Sequence, residues 1–193
     1  MNYKLILKVA GVVAVAVVAV FFCIGCSSED EEDNYGTIYG TWVGSGDYFS
    51  FTSTFKRNGT FETSNTTTGD RKLGTFSTNG TTITTTTSDI YFSALGAALN
   101  NLSLIYSGLD GVRFSEGWYN RNQYRNVYLE GCKTASDEDK TQGVCANAER
   151  LADTLTTRSL GPTTGNYSVD GNTLTICPLY YADAAQCTNY TRQ

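Results

Sequence analysis

The stretch YFSFTSTFKRNGTFETS, Tyr48 to Ser64, decides how the rest of the chain is read. Phe49, Phe51, Ser53 and Phe55 fall on one side of an extended chain, and Tyr48, Ser50, Thr52 and Thr54 on the other. Alternation with a period of two and one polar side marks a strand with one face in a core. Asn58-Gly59 follows, a pair that supplies the positive φ angles of a tight hairpin turn. Phe61 then opens the return strand, and NTTTGDR reads as a loop.

The same grammar continues outward. GTFSTNGTTIT, Gly74 to Thr84, and GNYSVDGNTLT, Gly165 to Thr175, share glycine, aromatic, serine, glycine, threonine, aliphatic and threonine at equal offsets. Each is a strand, an Asn-Gly or Asp-Gly turn and a strand. Limited turn chemistry makes hairpins alike, but this agreement points further, to a partial internal duplication. Phe51, Phe55, Phe76, Ile83, Leu174 and Ile176, with Phe49, hold the apolar phase of their strands and are expected to face one interior.

Two stretches break the strand pattern. Phe92, Leu95, Leu99, Leu102 and Tyr106 recur at helical spacing after Ser88 or Asp89, which predicts a helix near 89–106. Ser136-Asp137-Glu138-Asp139 resembles a capping box, and Val144, Ala148, Leu151 and Leu155 form a stripe behind it. This predicts a second helix near 137–157, stopped by Gly161-Pro162. The intervening VRFSEGWYNRNQYRNVYLEGC reads as another hairpin, turning near Asn120 to Asn122.

The amino-terminal part is of another kind. Lys4 and Lys8 precede an apolar run from Val9 to Ile24, which ends in Cys23-Ile24-Gly25-Cys26. This resembles the bacterial lipobox, with Cys23 where leucine is usual. It implies a lipoprotein signal peptide over 1–25 and lipidation of Cys26. An uncleaved anchor is the alternative, since about 18 apolar residues just span a bilayer. Residues 26–38 then form an acidic tether, because a block of like charges cannot bury itself. Ser28-Glu29-Asp30-Glu31 resembles the export signal of surface lipoproteins. The expected address is the outer membrane, at the cell surface or the periplasmic face, with membrane lipid as partner through Cys26.

Residues 39–193 are long enough for one domain with its own core. Five of the 19 acids lie in the tether, so the domain is close to neutral and has no basic block. Nucleic acid is therefore not an expected partner. Beyond Cys26 the chain holds Cys132, Cys145, Cys177 and Cys187. Of three pairings, 132–145 and 177–187 close the shortest loops. A zinc site is the alternative, but there is no histidine and no Cys-x-x-Cys.

Gly40-Thr41-Trp42, then Phe55-x-x-Asn58-Gly59-Thr60-Phe61, then Gly74-Thr75-Phe76-x-x-Asn79-Gly80-x-x-Ile83 resemble the bacterial lipocalin-like lipoproteins. The closing Tyr190-Thr191-Arg192 is similar to their last strand. The resemblance covers about 40–87 and 165–192, and 88–164 departs from it. It implies a mainly β fold: an antiparallel lipocalin-like barrel or half-barrel, here with two inserted helices. It also implies that Trp42 packs across a closed end and that the interior can hold an apolar pocket. It transfers no particular ligand.

Candidate binding residues are Trp118, Tyr119, Arg121, Tyr124, Arg125 and Tyr128, where aromatic faces and guanidinium donors could stack on a sugar or clasp an anion. Their alternative is a solvated edge with its aromatic bodies on the barrel. Tyr180 and Tyr181, in the 177–187 loop, are further contacts to consider. With no histidine, Ser–His and Cys–His nucleophiles are ruled out, and neither a cofactor nor catalysis is expected. The leading expectation is a non-enzymatic binding module for a small apolar or glycan ligand. The alternatives are a cell-surface interaction protein without a ligand, and an inhibitor of a secreted enzyme such as lysozyme. The last rests on Gly44-Ser45-Gly46-Asp47-Tyr48, which is similar to the Ser-Gly loop of lysozyme-inhibitor lipoproteins.

Overall fold

The structure is a computed structural model that describes residues 37–45, 50–141, 143–179 and 187–193. The expected signal segment, Cys26, most of the expected tether, Phe49, the Gly46 to Tyr48 part of the Ser-Gly loop, Tyr180 and Tyr181 lie outside the described residues. The strands are β1 (Gly40–Ser45), β2 (Ser50–Phe55), β3 (Thr60–Asn65), β4 (Arg71–Asn79), β5 (Thr82–Phe92), β6 (Gly117–Asn120), β7 (Pro162–Asp170), β8 (Thr173–Pro178) and β9 (Thr188–Arg192). Four helices lie between β5 and β7: α1 (Ala94–Tyr106), α2 (Arg121–Thr134), the short α3 (Asp137–Thr141) and α4 (Ala148–Leu160).

Every strand pairing is antiparallel, in the order β4-β3-β2-β1-β9-β8-β7-β5-β6. A further β4–β5 pairing closes a ring of eight strands, leaving β6 as a flap on β5. The chain is therefore a closed antiparallel barrel with inserted helices. Closure removes the free edges an open sheet would present.

Register places one phase of each strand inside. Phe51 lies opposite Asn65 and Gly44, Phe55 opposite Phe61 and Gly40, and Ile83 opposite Gly165. Phe51, Phe55, Phe76, Ile83, Leu174 and Ile176 share this interior. The β2–β3 turn uses only Gly59 at positive φ (78°). Asn58 instead accepts hydrogen bonds through Oδ1 from the Thr60 amide at 3.0 Å and the Thr60 hydroxyl at 2.6 Å.

The two similar hairpins are β4–β5 and β7–β8, and they lie side by side through β5–β7 pairing. Gly74 and Gly165 hold equal places in them. A Cβ at Gly74 would meet the Thr86 carbonyl oxygen at 2.1 Å, and one at Gly165 the Cys177 oxygen at 2.8 Å. Both copies thus need glycine where a neighbouring strand backbone closes in. A bulge in β5 separates them at the other end: Gly74 faces Thr87 while Leu73 faces Asp89, so Ser88 is skipped and its hydroxyl donates to the Leu73 carbonyl at 3.2 Å. Inward positions pass from Ile83, Thr85 and Thr87 to Ile90 and Phe92. That phase change carries β5 past the barrel rim, where β6 replaces β7 beside it.

The two ends of the barrel differ. At the closed end Trp42, fully buried, donates its indole N–H to the Ile38 carbonyl at 2.7 Å. The Arg192 guanidinium lies 4.4 Å from the Trp42 ring and donates to the carbonyls of Thr37 (2.8 Å) and Tyr39 (3.2 Å). Leu174, Ile83, Phe55 and Phe61 complete this core. At the opposite end a second core packs the helices: Phe92, Leu104, Val112, Phe114, Tyr124 and Tyr128 at its centre.

Four differences from the sequence reading stand in the insertion. The expected hairpin across Asn120 to Asn122 is β6 followed by the fourteen-residue helix α2. Asn120 is the reason. Its Oδ1 accepts from the Asn122 and Gln123 amides, and Gln123 Oε1 accepts from the Asn120 amide, a reciprocal capping box. The helix predicted from residue 89 begins at Ala94, because β5 extends to Phe92 and the true cap is Ser93, whose hydroxyl accepts from the Gly96 amide at 2.9 Å. The second predicted helix is split into α3, a 3₁₀ turn (Val144–Asn147) and α4, which is recapped by Asn147 through the Arg150 amide. It ends at Leu160, with Gly161 as its cap and Pro162 opening β7. The repeating stripe of α1 also faces outward: Leu95, Leu99 and Leu102 are about half exposed, while Ala97 and Leu104 pack inward.

Candidate functional site

A cavity of about 640 Å³ lies inside the barrel, between the aromatic floor and the helical end. Its depth is a consequence of residue size. Ser53, Thr63, Thr85, Thr163 and Gly165 take inward positions at mid-barrel, where larger side chains would have filled the space. Ser53 is buried and its hydroxyl is shared with that of Thr63 at 3.1 Å, so this polar wall is satisfied by itself. Phe51, Phe55, Phe61, Ile83 and Ile176 make the apolar surface.

The helical end of the cavity is polar and charged. Asp70 and Lys72 enter from the turn before β4 and from β4, Asn100 from α1, Tyr124 from α2, and Arg158 and Ser159 from α4, with Arg71 at the border. Asp70 is held in place: Oδ1 accepts from the Ser93 amide at 2.9 Å and Oδ2 from the Thr68 hydroxyl at 2.9 Å. Arg71 turns to the outer surface, 5.1 Å from both the Tyr91 and Trp118 rings and 3.9 Å from Glu62. Tyr124 shares its hydroxyl with Ser159 at 3.0 Å.

Lys72 is the unusual member. It shares the inward phase of Gly74 and Phe76, lying opposite Thr63 and Ile90. Its side chain is exposed, yet enough protein surrounds the ammonium that burial lowers its pKa, against a smaller opposing pull from Asp70. Both hold because the surface it exposes faces the cavity. Burial likewise raises the Tyr190 phenol, whose ring lies flush against Gly44.

The six residues expected to cluster are placed in three locations. Trp118 is on the outer sheet face, tilted against Tyr91 with ring centres 5.3 Å apart and Arg71 over its ring. Tyr119, Tyr124 and Tyr128 belong to the helical core, around Phe92 and Phe114. Tyr128 is buried, and burial, then Tyr124, raises its phenol far above the ordinary value. Arg121 donates to the Thr157 hydroxyl at 2.8 Å, and Arg125 pairs with Asp153 (2.6 Å) and with Glu149, fastening α2 to α4. Of the six only Tyr124 lines the cavity.

Lys72, Asn100 and Arg158 were not singled out from the sequence. Lys72 had a readable signal, a cation in the apolar phase of a strand. Asn100 and Arg158 had none, since their places depend on how the helices cap the barrel. The cysteines are joined 132–145 and 177–187. The first ties the end of α2 to the 3₁₀ turn, and the second links the rim ends of β8 and β9. Among the described residues no cluster of His, Cys, Asp or Glu is placed to hold a metal. No family model, curated protein or solved structure matches this chain.

Proposed function

We propose that this chain is a lipid-anchored, non-enzymatic binding module that holds a small, largely apolar ligand inside its barrel. One observation carries the reading: a half-open cavity of about 640 Å³ lies in the barrel, walled in large part by aromatic and aliphatic side chains. Binding pockets span roughly 300–1,000 Å³ and are mostly apolar with a few placed polar groups. A barrel whose only task was structural would gain stability by filling that space, since interiors normally pack densely. A glycan is less suited, because the aromatic and arginine side chains proposed for it are dispersed and engaged elsewhere.

The anchor is part of the same proposal. Gly25-Cys26 at the end of the apolar run supports removal of 1–25, acylation of Cys26 and residence at the outer membrane. Two experiments separate these parts. Protein extracted gently from membranes should carry a small molecule in native mass spectrometry that denaturation releases, and an apolar fluorophore should bind with a stoichiometry of one. Neither adduct nor saturable fluorophore binding would end the binding reading. For the anchor, Cys26→Ser should abolish lipid labelling and leave a precursor; residues 1–25 on the mature wild-type protein would refute it.

A further inference from the structure

The polar end of the cavity holds donors that lack acceptors. Among the described residues the Lys72 ammonium makes no hydrogen bond and no ion pair, and the Arg158 guanidinium makes none either. On α2, by contrast, Arg121 and Arg125 both have partners on α4. The Asn100 amide nitrogen is buried and also has no partner. The acid at hand, Asp70, offsets this only in part: its oxygens are held by Ser93 and Thr68, and its pull on the Lys72 ammonium is smaller than the effect of burial. The Asn100 nitrogen is a buried donor without an acceptor, which is costly, while Lys72 and Arg158 are exposed and line the cavity with charge that a ligand's acceptor could meet.

Charge narrows what that acceptor is. Lys72 and Arg158 bring two positive charges, Asp70 one negative, and Arg71 is matched by Glu62 on the outer face. The excess is one positive charge. A carboxylate supplies a single negative charge at neutral pH, whereas a phosphate monoester carries about −1.5 to −2. Deeper in the barrel Phe55, Phe61 and Ile83 give the cavity an apolar wall. We propose that the ligand is a single-tailed amphipathic carboxylate, with its tail on the aromatic floor and its acid group against Lys72, Arg158 and the Asn100 amide. This rests on the reading of the barrel as a binding cavity and adds the ligand's chemical class. Lys72 becomes the specificity residue. The carboxylate restores to its ammonium the stabilisation that enclosure removed.

The test compares decanoate with 1-decanol, an equal tail without the charge, on the full-length protein in lipid nanodiscs. Displacement of a barrel-bound apolar fluorophore is the readout. Decanoate should bind roughly tenfold or more tightly than decanol, the scale of a charge-assisted contact. Lys72→Met should erase most of that preference. In the wild type, decanoate affinity should fall as pH rises from neutral towards 10.5 and the ammonium loses its proton, while decanol affinity stays level. The other titratable groups lining the cavity are Asp70, Arg71, Tyr124, Arg158 and Tyr190. The pH profile needs no variant, so it stands even if Lys72→Met fails to fold. Equal affinities in the wild type, a preference that survives Lys72→Met, or tighter binding of decyl phosphate would overturn the proposal and leave the cavity reading standing. Failure of the fluorophore itself to bind would overturn both.

Discussion

Trp42 and Arg192 show how much one pair of side chains can settle. They are opposite one another in the β1–β9 register, so the first and last strands of the barrel meet at this contact. The indole fills the closed end, and the guanidinium covers it while bonding the backbone of the segment before β1. Trp42→Ala should cost about 3–5 kcal/mol in urea unfolding. In a double-mutant cycle with Arg192→Met the two effects should couple by at least about 0.5 kcal/mol; strict additivity would mean the stacking contributes nothing. Tyr128 gives a pH test at the same scale. Its folded pKa is raised, so above the unfolded value of about 10 the unfolded chain releases a proton that the folded one keeps. Its contribution is intact below pH 10 and is lost as pH rises beyond it. Unfolding midpoints should therefore fall more steeply above pH 10 in the wild type than in Tyr128→Phe, and parallel curves would contradict this.

Elements depart from residues most clearly in α1. Its stripe of leucines at helical spacing faces outward. The side that packs is made of Gly96, Ala97 and Leu104, small residues that let the helix lie close to the turn bearing Asp70; a Cβ at Gly96 would stand 1.8 Å from an Asp70 oxygen. Leu99→Gln should change stability by less than about 0.5 kcal/mol, and Leu104→Ala should cost about 2–5 kcal/mol. The reverse order, read by thermal or urea unfolding, would show the helix turned the other way. The bridge Cys132–Cys145 joins two elements across 13 positions. Its removal by paired alanines should cost about 3 kcal/mol, chiefly through the freer unfolded chain, and should loosen α2 against the 3₁₀ turn in hydrogen exchange before it affects the barrel.

At the scale of the whole molecule the cavity is where dense packing and the proposed binding role oppose each other. Small residues at mid-barrel leave space that a pure scaffold would fill. Thr85→Phe points a ring into that space from β5, next to Thr163. It should bind no apolar fluorophore while its unfolding midpoint stays level with the wild type or rises. A variant that keeps full binding would place the ligand elsewhere.

Local chemistry alone was enough for the hairpins. The alternation of Phe51, Ser53 and Phe55, the glycines at turns, and the Gly74 and Gly165 copies are properties of neighbouring residues, because a strand's period and a turn's backbone angles are set within a few positions. The pairings 132–145 and 177–187 were legible for the same reason, as short loops. The capping box at Asn120 and Gln123 was equally local, but it was hidden by an aromatic-rich segment that also fits a hairpin. Barrel closure, the outward turn of α1 and the site itself were decided by tertiary structure. Periodicity says that a face is apolar, not what it meets, and β4 finds β5, or Arg158 finds the end that holds Lys72, only through contacts far apart in the chain. A cavity is the space such contacts leave empty, so no single stretch of sequence contains it.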